Sequence, residues 1–149
     1  MKSFFGILLI LLAAFLLWIR FAPTDRDLVH IDPVDADDPG PRGVKIVGAD
    51  APRFPGETTD VLEAFAHVAL EEPRVKLLDG DFSEAMMTFV ARTKVFGFRD
   101  YITVKATQEG EETKLSVISR SRYNFGSDWG VNRDRLDRWL GELERRLRK

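Results

Sequence analysis

The densest set of groups able to do chemistry lies in one stretch, Ser119-Arg120-Ser121-Arg122-Tyr123-Asn124-Phe125-Gly126-Ser127-Asp128-Trp129-Gly130-Val131-Asn132-Arg133. Side chains two apart on a strand share a face, so Arg120 and Arg122 project to the same side. Arg133 follows in the first turn of a helix, where unpaired amides and the helix dipole favour an anion. Ser121 and Ser127 add hydroxyl donors. Such a set suits a phosphate, sulfate or carboxylate, or a lipid headgroup near a membrane, because guanidinium forks hold oxyanions through charge-assisted bonds. The candidate anion-binding residues are therefore Arg120, Arg122, Ser127, Asp128, Asn132 and Arg133. A structural reading competes with this one. Asp128 can pair with Arg122 or Arg133, Gly126 and Gly130 can serve backbone conformations closed to other residues, and Asn132 can serve only as a helix cap.

Little else in the chain is reactive. With no Cys there is no disulfide framework, thiolate metal site or cysteine nucleophile, and the two His, His30 and His67, are too few for a histidine-rich metal site. No cofactor or metal is called for. A phosphate-cradling glycine loop, a nucleophile elbow and a zinc-binding helix motif are all missing from the sequence. An acid pair such as Asp100 with Asp128 is the remaining hydrolase reading, and a non-enzymatic module is favoured over it. The balance of 22 Lys+Arg against 24 Asp+Glu, net charge −2, excludes a polycation built for nucleic acid.

These groups must be positioned by the rest of the chain, which divides into three. Residues 1–22 open with the apolar run Phe4 to Ile19, long enough with its flanks for a membrane-spanning helix of about 20 residues. Trp18 suits the interface and Arg20 can place its charge at headgroup level. A cleaved signal competes, but small residues do not stand one and three positions before a cut: Ala14 follows Leu12 by two, and Ala22 follows Arg20 by two. A retained anchor through residues 4–19 is therefore expected, single-pass in the cell inner membrane, with the domain on the periplasmic or extracytoplasmic side. Residues 23–43 form an acidic, Pro-rich linker with too little apolar surface to offset ordering, expected to be a solvated tether. Their Asp cluster lacks the spacing of a calcium loop.

Residues 44–149 read as one α+β domain: an antiparallel sheet of four to five strands with two helices packed on one face. Val44 to Val47 is a short strand. Thr58-Thr59-Asp60 begins a helix, with Asp60 and Glu63 resembling a capping box, and Val61, Leu62, Phe65, Val68 and Ala69 recur at helical spacing until Pro73. His67 sits on its outer stripe. Strands follow at Arg74 to Leu78, with Asp79-Gly80 as a hairpin turn, then at Ala85 to Val95, Tyr101 to Thr107 and Thr113 to Arg122. Alternation assigns Met87, Phe89, Ala91, Val95, Ile102, Val104, Ala106, Leu115 and Val117 to a helix-covered face. Arg92, Lys94, Lys105, Lys114, Arg120 and Arg122 fall on the other face, which is expected to be solvated. A last helix carries Leu136, Trp139, Leu140, Leu143 and Leu147 inward, with Asn132 as N-cap and Val131 and Leu136 as a hydrophobic staple.

The strand ending in alternating Ser and Arg, followed by Gly-Ser-Asp-x-Gly-Val-Asn-Arg opening a helix, resembles domain of unknown function 1499. The upstream Phe96-Gly97-Phe98-Arg99-Asp100 occupies that family's usual place before the penultimate strand, although Tyr101 stands where the family often has a second acid. The resemblance covers roughly residues 44 to 149. It implies a largely bacterial or plastid protein, a fold and a membrane-linked compartment, and it carries no reaction. The expected function is a membrane-tethered extracytoplasmic module binding an anionic small molecule or headgroup. The alternative is an envelope protein–protein interaction module docking through the exposed sheet face or the Trp129 loop.

Overall fold

The computed structural model describes residues 2–123 and 127–148. The helices are α1 (Lys2–Phe21), α2 (Thr58–Glu71) and α3 (Val131–Leu147), and the strands are β1 (Gly43–Ile46), β2 (Arg53–Pro55), β3 (Val75–Asp81), β4 (Met86–Arg92), β5 (Arg99–Glu109) and β6 (Glu112–Ser121). All pairings are antiparallel, in the order β1-β6-β5-β4-β3, and β2 shares the outer edge of β6 with β1. The fold is thus the expected α+β arrangement, with six strands among the described residues. The additional short strand, β2, was not anticipated.

Helices α2 and α3 cover one sheet face. Val61, Leu62, Phe65, Val68 and Ala69 of α2 and Leu136, Trp139 and Leu143 of α3 are buried against Phe89, Ile102, Val104, Leu115 and Val117. Fully burying each large side chain contributes about 1.5–3 kcal/mol, so this apolar layer holds the fold. The amide of Thr58 at the start of α2 is satisfied from outside the helix, by Gln108 Oε1 at 2.9 Å, rather than by the Asp60–Glu63 box.

Two strand ends differ from the pattern in the sequence. The β3–β4 turn is not at Asp79-Gly80. These residues stay in β3 at a bulge between Leu77 and Asp79, and the chain reverses at Phe82 to Ala85, where Asp81 Oδ1 accepts the Ser83 amide at 2.7 Å. Gly80 has φ +85, and a Cβ there would lie 2.2 Å from the Met86 carbonyl oxygen, so only glycine fits. At the other end β4 stops at Arg92. Thr93 closes a turn by donating its amide to the Phe98 carbonyl and accepting the Phe98 amide on Oγ1, both at 2.9 Å. Val95, expected on the core face, is therefore on an exposed loop.

The largest correction concerns residues 23–38 and the basic face. These residues form an ordered strap across the second sheet face. Low apolar content does not prevent this, because the strap is held by hydrogen bonds. Thr24 Oγ1 meets Tyr101 Oη at 2.7 Å, Thr103 Oγ1 donates to the Val29 carbonyl at 3.0 Å, and His30 Nδ1 meets Thr88 Oγ1 at 2.8 Å. Lys45 Nζ donates to the Val34 carbonyl at 3.0 Å, and Lys105 pairs with Asp32. Burial raises the Asp32 pKa, but the bonds from Lys105 and the Val34 amide outweigh it and hold the carboxyl below its ordinary value. The strap's polar atoms thus complement the Thr, Lys and Arg side chains expected to face water.

Helix α1 is long and apolar enough to cross a membrane over Phe4–Phe21, as an anchor or as a signal sequence. Its last turn reaches the domain, where Ile19 is buried.

Candidate functional site

Between the strap and the second face of β5 and β6 lies a cleft of about 590 Å³, lined by Tyr101, Arg120 and Arg122 from the sheet side and by Leu28, Asp25, Asp37 and Asp38 from the strap. Arg120 on β6 and Arg122, one residue past its end, alternate with Ser119 and Ser121, so the period of the strand aims both guanidinium groups here. Arg120 Nη2 donates to the Leu28 carbonyl at 3.0 Å, and Arg122 Nη2 donates to the Pro23 carbonyl at 2.9 Å. Arg122 Nη1 lies 3.4 Å from Tyr101 Oη. Burial lowers the Arg120 pKa, with Asp37 acting in the opposite sense, yet guanidinium starts so high that it stays charged.

Beside this cleft a second set of arginines surrounds the end of α1. Arg99 Nη2 donates to the Arg20 carbonyl at 2.8 Å and its Nη1 donates to the Ala22 carbonyl and to Thr24 Oγ1. Arg92 Nη1 donates to the Arg20 carbonyl at 3.0 Å, and Tyr123 Oη to that of Ile19 at 3.3 Å. The last carbonyls of a helix lack partners within it and form the negative end of its dipole, which explains why guanidinium groups collect there. Burial lowers the Arg92 pKa, and repulsion from Arg99 and Arg20 adds to it.

The acceptors are neutral throughout. Among the described residues no carboxylate forms an ion pair with Arg92, Arg99, Arg120 or Arg122. Arg99 is buried, and its Nε has no hydrogen-bond partner among the described residues. Carbonyls satisfy donors but do not neutralise charge, so Arg92, Arg99 and Arg122 keep theirs in a partly desolvated setting, while Asp25, Asp37 and Asp38 line the strap side of the cleft and Asp37 acts on Arg120 from beyond ion-pair distance.

The other candidates do not join this cleft. Ser127 Oγ donates to the Pro41 carbonyl at 3.1 Å. Asp128, rather than Asn132, caps α3: its carboxylate accepts the Gly130 and Asn132 amides, each at 3.0 Å. Burial raises the Asp128 pKa, but bonds from Asn132 and the Gly130 amide outweigh it and lower the value overall. Asn132 is buried on the helix side, where its Oδ1 accepts Ser119 Oγ and Arg135 Nη1. Arg133 is exposed on α3. Asn124, Phe125 and Gly126, in the middle of the motif, lie outside the described residues. The motif is thus divided by its own alternation: Arg120 and Arg122 face the cleft, whereas Ser119 and Ser121 face α3.

On that helix side sits a buried polar knot. Asp100 accepts Arg135 Nη2 at 3.0 Å and Ser121 Oγ at 2.8 Å. Asp100 and Asp128 are therefore each engaged in structural bonds, which counts against the hydrolase pairing. Sequence reasoning missed Arg99 as a site residue. Its signal was its place one residue before Asp100, which puts it on the strap side of β5 when Asp100 faces the helices.

No curated protein matches the chain significantly. Residues 35–143 match the model of the family described as Protein of unknown function (DUF1499), a span that begins within the strap and ends in α3, and the chain belongs to that family.

Proposed function

We propose that the chain is a retained single-pass protein of the cell inner membrane whose extracytoplasmic domain binds an anionic small molecule or lipid headgroup at the cleft. Arg120 and Arg122 contact the anion, and Arg99 and Arg92 strengthen the local field. The observation that carries this reading is a group of guanidinium groups bonded to neutral carbonyls and hydroxyls, with no carboxylate within ion-pair distance among the described residues. Retention of α1 is supported by the same bonds. Cleavage at the end of the apolar run would remove the Arg20 and Ala22 carbonyls from buried Arg99, leaving donors unsatisfied at about 1–3 kcal/mol each. An extracytoplasmic side is supported by a single anchor preceding the whole domain and agrees with a cysteine-free chain.

The test uses the full chain in phosphatidylcholine nanodiscs. Its melting temperature is followed with inorganic phosphate in one arm and with phosphatidylglycerol in the disc in the other. A ligand at a hundredfold excess over Kd contributes about 2.7 kcal/mol, so a rise of several degrees is expected in at least one arm. A rise with phosphate identifies a free anion, and a rise confined to phosphatidylglycerol identifies a headgroup. Arg122→Ala should abolish the rise. No rise in either arm contradicts the proposal.

A further inference from the structure

We infer that the end of the domain beside α1 is itself seated in the membrane surface, with Val95 and Phe96 of the β4–β5 loop and Trp129 before α3 immersed at headgroup depth. This rests on the reading of α1 as a retained anchor and is separate from anion binding in the cleft.

Val95, Phe96 and Trp129 are 75%, 50% and 91% exposed. The loop that presents the first two is built rather than slack. Besides the paired bonds between Thr93 and Phe98, the Gly97 amide donates to the Thr93 carbonyl at 3.2 Å. The Phe96 ring lies 5.6 Å from that of Phe98, which in turn meets Tyr123 edge-on at 5.3 Å. Trp129 holds a left-handed φ of +56, unusual for a bulky residue, between the Ser127 hydroxyl and the Asp128 cap. An indole fixed outward in that conformation contributes nothing to the core. Thr93, Phe98 and Trp129 line one small cavity, so the loop and the indole belong to the same end of the molecule.

The location identifies what covers this end. Tyr123 and Arg92 bond to the last turn of α1, and a Cβ at Gly97 would lie 3.6 Å from the Arg20 guanidinium. The loop therefore stands level with the end of the helix. The apolar window Phe4–Phe21 has 18 residues, about 27 Å at 1.5 Å per residue, against a hydrocarbon layer of about 30 Å. A helix this short, with Ile19 already buried in the domain, has no length to lift the domain clear of the bilayer. The surface around its end must then lie at headgroup depth, where aromatic rings and basic side chains are favoured. Exposed Lys94 and the cations of Arg20 and Arg92 complete that composition. A protein partner at the same place would compete with the bilayer for the space.

The chain has no cysteine, so single reporters can be introduced cleanly. Val95→Cys and Trp129→Cys, each in the full chain, are labelled with an environment-sensitive fluorophore and reconstituted into vesicles of phosphatidylcholine and phosphatidylglycerol. Phe82→Cys, beyond the opposite end of β4, reports the far side, and Leu12→Cys reports α1. Lipids bearing a shallow nitroxide should quench positions 95 and 129, lipids bearing a nitroxide near the chain ends should quench position 12 at the middle of α1, and both should leave 82 bright. If 12 is quenched while 95 and 129 stay as bright as 82, the inference is overturned, the anchor stands, and a protein partner becomes the better reading of Trp129. If all four stay bright with both the shallow and the deep nitroxide, the anchor reading and the inference fall together.

Discussion

Asp100→Ala should cost the domain about 3–5 kcal/mol, because it strands a buried guanidinium. Asp100 and Arg135 are both buried, and their bond at 3.0 Å ties β5 to α3. Without the carboxylate, Arg135 keeps Asn132 Oδ1 at 3.0 Å and the more distant charge of Glu72, but loses its one hydrogen-bonded counter-charge. Glu72 lies 3.7 Å from its Nε, too far for a hydrogen bond, and also serves Trp139 and Arg138. The loss reads out as a lower urea midpoint for the full chain in nonionic detergent. The double replacement Asp100→Leu with Arg135→Met should recover much of it, since an apolar pair leaves no charge unmatched. A single-variant cost below about 1 kcal/mol would show that the pair does not hold β5 to α3.

Trp139→Ala should cost a similar amount, about 3–5 kcal/mol, through loss of packing. The indole meets Phe65 of α2 at 5.8 Å and Phe89 of β4 at 6.4 Å, both edge-on, and its Nε1 donates to Glu72 Oε2 at 2.7 Å. Both helices and the sheet therefore meet at this one side chain. Trp139→Phe separates the contributions: the ring contacts largely persist, and loss of the hydrogen bond should cost about 1 kcal/mol. The same denaturation series checks both variants. An alanine variant no less stable than the phenylalanine variant would contradict the assigned packing.

The features legible in the sequence were those encoded by apolar periodicity. Leu136, Trp139 and Leu143 announce the inner stripe of α3, and Ile102, Val104, Leu115 and Val117 announce the helix-covered sheet face. What escaped was encoded in polar contacts. The strap has few apolar side chains, and its order comes from backbone carbonyls such as Val29 and Leu28 meeting Thr103 and Arg120 across the chain. Hydropathy carries no record of such pairings. Val95 continues the alternation of β4, but the Thr93 hydroxyl ends the strand first. Asp79-Gly80 has the composition of a hairpin turn, whereas the glycine is needed there for close approach to Met86 within the strand. In the site, Arg120 and Arg122 were readable as a same-face pair. Asn132 and Asp128 each have the chemistry of an N-cap, and only the local geometry gives the cap to Asp128 and sends Asn132 into the buried knot.

The central claim is that Arg120 and Arg122, which no carboxylate in the cleft ion-pairs, hold an anion. Native mass spectrometry of the full chain tests it most directly, using protein released from phosphatidylcholine membranes that contain phosphatidylglycerol, in phosphate buffer. The account predicts that the wild-type chain retains phosphate or phosphatidylglycerol in preference to phosphatidylcholine, and that a folded Arg120→Ala, Arg122→Ala double variant loses that preference. The same anion retained equally by both chains, or no anion retained by either, would contradict it.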